Sequence, residues 1–118
     1  MSETRAVSDA TQRTWFRTRL EAQLRLALLG DTACMATLAE LVDHAQRAGL
    51  SGAEIDAAIV GRSFEVRATA LLAYALALKH SDQVAADLKR QRGARLGVTA
   101  SAFERIARAT DQILRDAR

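Results

Sequence analysis

The sequence predicts an all-α domain of about six helices. The chain has 118 residues with 25 alanines and no proline, and only 4% of its residues are aromatic. Alanine, leucine, arginine and glutamate favour helices, whereas sandwiches and barrels depend on β-branched and aromatic residues. Apolar residues (49%) and charged residues (26%) occur at globular levels, and this length can bury a core without disulfides or a structural metal.

The first helix follows a short polar tail. We expect residues 1–9 to form that tail and residues 10–118 to form a single helical domain. The helix is predicted to start near Ser8 or Asp9 and to run to Leu29, where a glycine stops it. Its wide apolar face indicates burial on more than one side. The residues of that face are Trp15, Phe16, Leu20, Ala22, Leu24, Leu26, Leu28 and Leu29.

Capping residues predict the next two helices. Asp31 or Thr32 is expected to cap the second helix, which ends at Gly49. Ser51 and Glu54 have the Ser-x-x-Glu spacing of a capping box and open a short third helix, which ends at the next glycine. The apolar stripe of the second helix consists of Leu38, Leu41, Val42 and Ala45.

The fourth helix is the most apolar segment of the chain. Ser63 is expected to cap it, and between Ala68 and Leu78 only Thr69 is not apolar. A helix that is apolar all round is buried all round. In so small a protein, a neighbouring subunit is one way to cover it, so we expect a homo-oligomer. A trimer or a hexamer is the assembly that we consider.

Two further helices complete the domain. Ser81 or Asp82 is expected to start the fifth, which ends near Gly93, and Thr99 is expected to cap the sixth. The sixth helix has an apolar stripe suited to packing or oligomerisation. It consists of Phe103, Ile106, Ala107, Thr110, Ile113, Leu114 and Ala117.

Charge and hydropathy restrict the location of the protein. Residues 1–78 carry eight basic and nine acidic side chains, and residues 79–118 carry nine and five, so the positive excess is mild. Met1–Asp9 lacks the apolar region of a secretory signal, and the apolar run Ala70–Leu78 is too short to span a bilayer. A single cysteine excludes an internal disulfide. We therefore expect a reduced, cytoplasmic protein without membrane partners.

A family resemblance covers about half of the chain. It rests on Glu21–Gly30, then Cys34 after a short turn, then a helix junction within His44–Ile55, then the apolar segment Arg67–Leu78. In order, in spacing and in the Ala-Gly-Leu-Ser-x-x-Glu-Ile junction, residues 20–80 resemble the alkyl hydroperoxidase D / carboxymuconolactone decarboxylase family. The resemblance implies a helical fold and an oligomer.

The chain departs from that family at the positions of its chemistry. In the peroxidase branch a Cys-x-x-Cys pair opens the second helix and a histidine follows one turn later. Here the first cysteine position is Cys34, but the second is Thr37 and the histidine position is Leu41. The Glu-Trp pair of the decarboxylase branch is replaced by Leu38 and Ala39. A two-thiol peroxide reductase is therefore not expected.

The resemblance still implies a cofactor-independent enzyme acting on a small-molecule ligand, either a lyase or decarboxylase or a peroxidase-related protein. Its pocket would lie between the first and second helices near a subunit interface. Glu21 would be the acid/base, Cys34 a pocket thiol or proton relay, and His44 a second acid/base, with Thr37 and Leu41 lining the pocket. No cofactor is implied, and two histidines are too few to indicate a metal site.

Structural interpretations compete with each of these roles. A lone cysteine on an alanine-rich helix is commonly a small buried hydrophobe. Glu21 lies four residues from both Arg17 and Arg25 and can form a helix-surface ion pair, and His44 can simply be solvated. The alternative function is a non-catalytic oligomeric ligand-binding or interaction module of the same fold.

A helix-turn-helix DNA reader is the third hypothesis. Ala45, Gly49 and Ile55 have the spacing of that unit. However, the would-be recognition helix Ala53–Val60 holds two acids and no Arg, Lys, Asn or Gln before Arg62. Phosphates would repel it and no side chain could read bases bidentately. We therefore do not expect a nucleic-acid partner.

Overall fold

Helices are the only regular secondary structure between residues 17 and 117, the part of the chain that the computed structural model describes. The first helix, α1, is described over 17–29. It is followed by α2 (Met35–Arg47), α3 (Gly52–Ile59), α4 (Val66–Lys79), α5 (Gln83–Arg95) and α6 (Ala100–Asp116). The all-α prediction with about six helices is confirmed for these residues. The predicted tail, the start of α1, Trp15 and Phe16 lie outside them.

Three predicted helix starts are confirmed. The Ser51 hydroxyl accepts from the Glu54 N–H at 3.2 Å, and the Glu54 carboxylate accepts from the Ser51 N–H at 3.1 Å, which completes the capping box of α3. Asp82 caps α5 and Thr99 caps α6, each accepting from the backbone N–H three residues on. Short polar side chains at these positions satisfy N–H groups that the helix leaves unpaired.

The start of α2 differs from the prediction. Neither Asp31 nor Thr32 caps this helix, because α2 begins at Met35 with Cys34 as its N-cap residue. The Asp31 carboxylate instead accepts from Lys79 Nζ at 3.2 Å and joins the end of α4 to the turn after α1. Asp31, a residue of a type suited to capping, therefore forms a contact with α4 instead.

The start of α4 also lies later than predicted. Its N-cap is Glu65, whose carboxylate accepts from the Arg67 N–H at 3.2 Å. Ser63 instead bonds to the first turn of the helix, since its N–H donates to the Thr69 hydroxyl and its carbonyl accepts from that hydroxyl. Ser63 thus fastens the preceding loop instead of capping α4.

The end of α5 lies near Gly93, as predicted, but its last residue is Arg95 and the glycine itself lies within the helix. The chain turns at Gly97, whose φ of 91° lies in the left-handed region that favours glycine. Gly93 is buried, and a Cβ placed there would lie 2.4 Å from Phe103 Cζ. Glycine at this position permits close packing of α5 on α6.

The buried apolar residues form two clusters, and α1 contributes to both. Leu24 and Leu28 face the larger cluster with α4, α5 and α6, whereas Ala22 and Leu26 face a smaller cluster with α2 and α3. This confirms that the wide apolar face of α1 is buried on more than one side. The smaller cluster comprises Ala22, Leu26, Ala45, Ala48, Leu50, Ile55 and Ala58.

The chain itself covers α4, the helix expected to need a neighbouring subunit. Every residue from Ala68 to Lys79 is buried or half-buried. The α6 stripe contributes to this cover, because Phe103, Ile106 and Ile113 lie in the larger cluster. None of the helices in residues 17–117 combines the length and apolarity needed to cross a bilayer.

Candidate functional site

Cys34 lies at the N-cap position of α2 and its side chain is exposed. The backbone there is extended (φ −67°, ψ 166°), and the thiol is free. Its Sγ lies 3.3 Å from Oγ1 of Thr37, one turn into the helix. The interpretation of Cys34 as a small buried hydrophobe is therefore wrong. The thiol is available to solvent and to reagents.

The surroundings of Cys34 favour its thiolate. The hydrogen bond with the Thr37 hydroxyl, followed by the Thr37 backbone N–H, lowers the pKa of the Cys34 thiol below its usual value. Such bonds stabilise the charged form of the sulfur. Since the thiolate is the nucleophile, a lower pKa makes the group more reactive at neutral pH.

Glu21 lies on the exposed side of α1. Its Oε1 accepts from Arg25 Nη2 at 3.1 Å, the helix-surface ion pair that was the structural alternative. The Glu21 side chain is 54% exposed, whereas its neighbour Ala22 is buried in the smaller cluster. In residues 17–117 no hydrogen bond connects Glu21 with Cys34.

His44 lies near the opposite end of α2 from the thiol. It is exposed and follows Met35 by nine residues, or about 14 Å along the helix axis. That separation is far beyond hydrogen-bond distance. His44 lies in the last turn, where a cation interacts favourably with the helix dipole.

The five predicted site residues therefore divide into one pair and three separate positions. Cys34 and Thr37 are in contact, whereas Leu41 is half-buried and packs against the smaller cluster. Glu21 pairs with Arg25 on α1, and His44 is exposed near the other end of α2. The site that the fold brings together is a thiol with a hydroxyl beside it.

The face of α2 around this pair is unusually open. Among the thirteen residues of α2 only Ala45 is buried, although the helix carries a clear apolar stripe. Met35, beside the thiol, is 89% exposed, and Leu38 is only half-buried. The chain therefore leaves the start of α2 largely uncovered.

A second surface feature was not predicted from the sequence. An open groove of about 300 Å³ lies between α4 and α5, and its lining includes Val66, Ala73, Lys89 and Leu96. The sequence signal that could have indicated it is an excess of basic residues near the end of α5. Residues 88–103 include four basic side chains and no acid. Its apolar wall depends on how the two helices pack, which no local pattern specifies.

No family model, curated protein or solved structure matches this chain. The helices of residues 17–117 show the all-α class. The family resemblance of residues 20–80 rests on the sequence motifs alone.

Proposed function

We propose that this chain is a one-thiol member of the alkyl hydroperoxidase D / carboxymuconolactone decarboxylase fold that reduces small hydroperoxides without a bound cofactor. The observation that carries the proposal is the exposed Cys34 thiol, bonded to Thr37 at the start of α2, with a lowered pKa. It develops the peroxidase-related branch of the sequence hypothesis. Thr37, at the position of the missing second thiol, would support the thiolate instead of resolving it.

The fold part of the proposal is supported by the junction between α2 and α3. The residues that carry the resemblance there make a left-handed turn at Gly49 (φ 95°) and then the capping box. Arg19 of α1 donates to the Gly49 carbonyl at 2.6 Å and also pairs with Glu54. The junction is thereby anchored to the helix that precedes Cys34.

The proposed reaction uses one cysteine and an external thiol. The Cys34 thiolate attacks the terminal oxygen of the hydroperoxide, the O–O bond breaks, and the alkoxide leaves as an alcohol after taking a proton from solvent. Cys34 becomes a sulfenic acid. A small thiol condenses with it to a mixed disulfide and water, and a second small thiol restores Cys34 and leaves as the oxidised disulfide.

The test measures consumption of tert-butyl hydroperoxide in the presence of dithiothreitol. We expect catalytic turnover by the full chain and none by Cys34→Ser. Met35 is also exposed and oxidisable, so mass spectrometry of the oxidised state is done in a Met35→Leu background. There an added oxygen on the active-site peptide reports Cys34.

Two results would overturn the proposal. One is a wild-type rate no higher than that of Cys34→Ser. The other is a thiol that reacts with peroxide no faster than free cysteine at the same pH. A Glu21→Gln variant distinguishes this reaction from a lyase reaction. Loss of the Glu21 carboxylate should slow an acid/base reaction and leave thiol chemistry unchanged.

A non-catalytic binding module of the same fold is the second candidate. It is favoured by the separation of Glu21 and His44 from the thiol, which leaves Cys34 without an acid/base side chain bonded to it in the described part of the chain. A thiol that titrates normally and no peroxide turnover would support this candidate.

Self-association belongs to the same proposal, with a trimer or hexamer as the assembly. Its support is the open face of α2, since α4 is already covered within the chain. A second copy over Met35 and Leu38 would enclose the thiol and give it the pocket that a small-molecule enzyme needs.

A further inference from the structure

The groove between α4 and α5 is lined almost entirely by carbon atoms, and Lys89 and Arg92 lie along its α5 side. Val66, Ala70 and Ala73 lie one and two turns apart along α4, and Lys89, Arg92 and Leu96 repeat in the same way along α5. Seven residues of helix extend about 10 Å. The groove is therefore a channel of about 300 Å³, open to solvent and roughly two helical turns long.

Exposed apolar side chains line the groove or lie next to its lining residues in the sequence. Val66 is 60% exposed, Leu96 is 44% exposed, and Leu88 beside Lys89 is 43% exposed. Phe64, two residues before Val66, is 70% exposed. Contiguous exposed apolar surface marks sites that bind another molecule.

The positive charges of the groove have no partner among residues 17–117. Lys89 and Arg92 make no ion pair or hydrogen bond there. By contrast, Lys79 is paired with Asp31. Residues 88–103 include four basic side chains and no acid, so the α5 side of the groove carries an excess of positive charge.

We propose that this groove binds a free alkyl carboxylate, a monomeric amphiphile with an apolar tail and one anionic head. The tail lies between Ala70, Ala73 and Leu96, and the carboxylate bonds to Lys89 and Arg92. The arginine fork and the lysine ammonium both pair with carboxylate oxygens. None of these residues belongs to α2, so the site is separate from Cys34 and its function does not depend on the thiol.

Charge selects this occupant over a second copy of the chain. In a two-fold dimer whose axis passes through this groove, Lys89 and Arg92 of both protomers would lie in one contact, where residues 88–103 offer no acid to pair with them. Like charges in such a contact are destabilising. An anionic head neutralises them instead.

The test is a titration of the full chain with decanoate, followed by amide NMR shifts and calorimetry. We expect saturable binding, with shifts centred on residues 66–73 and 89–96. Replacing both Lys89→Gln and Arg92→Gln should weaken binding about fivefold, since each exposed charge contributes modestly. Arg95→Gln is the matched control, because Arg95 is an exposed basic residue of α5 outside the groove. It should change binding less than about twofold.

A filling variant tests the apolar half of the site. Ala73→Leu places a larger side chain in the groove and should abolish decanoate binding while thermal unfolding shows that the domain is intact. Equal binding of decyltrimethylammonium, unchanged affinity in the double variant, or shifts spread over the whole chain would overturn the proposal. Binding to anionic vesicles but not to free decanoate would also overturn the proposal. So would self-association, measured by light scattering, that buries the groove between copies.

Discussion

At the scale of single residues, Thr37 determines how reactive the candidate site is. Its hydroxyl is the main reason that the pKa of the Cys34 thiol is lowered, ahead of the backbone N–H groups of the first turn. We expect Thr37→Val, which removes the hydroxyl and keeps the shape, to raise the thiol pKa. The rate of alkylation by iodoacetamide at neutral pH should then fall severalfold.

The pH profile of alkylation distinguishes this effect from a steric one. A raised pKa moves the midpoint of the profile to higher pH and leaves the plateau rate nearly unchanged. Thr32→Val is the control, since Thr32 is exposed in the preceding turn and its side chain makes no bond to Cys34. An unchanged midpoint in Thr37→Val would contradict the role of the hydroxyl.

A second residue-scale prediction concerns Gly93. An added Cβ would lie 2.4 Å from Phe103, whose ring also packs edge-on against Tyr74 at 5.0 Å. We expect Gly93→Ala to lower the free energy of unfolding by about 1–3 kcal/mol, even though alanine favours a helix interior by about 1 kcal/mol. Urea denaturation measures the difference.

Gly52→Ala is the matched control for Gly93→Ala. Gly52 is also a helical glycine, at the first position of α3, but a Cβ there would meet nothing within 4 Å. The substitution should leave stability unchanged or raise it by less than about 1 kcal/mol. Equal effects at the two positions would rule out packing as the cause.

At the scale of elements, α3 is stabilised by a charge as well as by its cap. The backbone N–H of Ser51 first, and then its hydroxyl and Arg19, lower the pKa of Glu54. A lowered folded-state pKa gives stability that is present above the unfolded pKa of about 4.5 and is lost as pH falls through the folded value. Acidification should therefore loosen the anchor between α1 and α3.

The variant Glu54→Gln isolates the charge, because glutamine can still accept from the Ser51 N–H. We expect it to reduce the free energy of unfolding at pH 7 by about 0.5–1 kcal/mol and to reduce the loss between pH 7 and pH 3. Glu40→Gln, at an exposed position of α2, serves as the control and should have neither effect. An unchanged pH dependence in Glu54→Gln would exclude the carboxylate as its source.

The elements also show where sequence patterns succeed and fail. Ser51, Asp82 and Thr99 were predicted as caps and act as caps, because each one bonds within its own first turn. Asp31 was predicted as a cap and Gly93 as lying near a helix end, but each lies against another element, at Lys79 of α4 and Phe103 of α6. Local chemistry predicts local bonds, whereas partners from other elements come only with the tertiary arrangement.

The same distinction applies to the candidate site. Cys34 and Thr37 are three residues apart, so their contact could be expected from helix geometry. The ion pair of Glu21 with Arg25 is also local, whereas the separation of Glu21 from the thiol and the open face of α2 depend on how the helices pack. The groove between α4 and α5 likewise could not be predicted from a local pattern, because two helices must pack to form it.

At the scale of the whole molecule, the distribution of exposed apolar surface bears on assembly. The helix that the sequence marks as needing cover, α4, is largely covered by the chain apart from the groove along α5, whereas the start of α2 is left open. Met35 is 89% exposed beside a free thiol. Burying such side chains between copies gives association a favourable free energy.

If the start of α2 is the subunit contact, a charge there should dissociate the oligomer. We expect wild-type protein to have the mass of an oligomer by sedimentation or light scattering and Met35→Glu to be a monomer, because each interface would bury an unpaired carboxylate. Val84→Glu is the matched control, since Val84 is 80% exposed on α5 and should tolerate the charge. Dissociation should also speed the alkylation of Cys34 by uncovering the thiol. A wild-type chain that is monomeric at every concentration would contradict the assembly, whereas an oligomer that persists in Met35→Glu would place its contact elsewhere than α2.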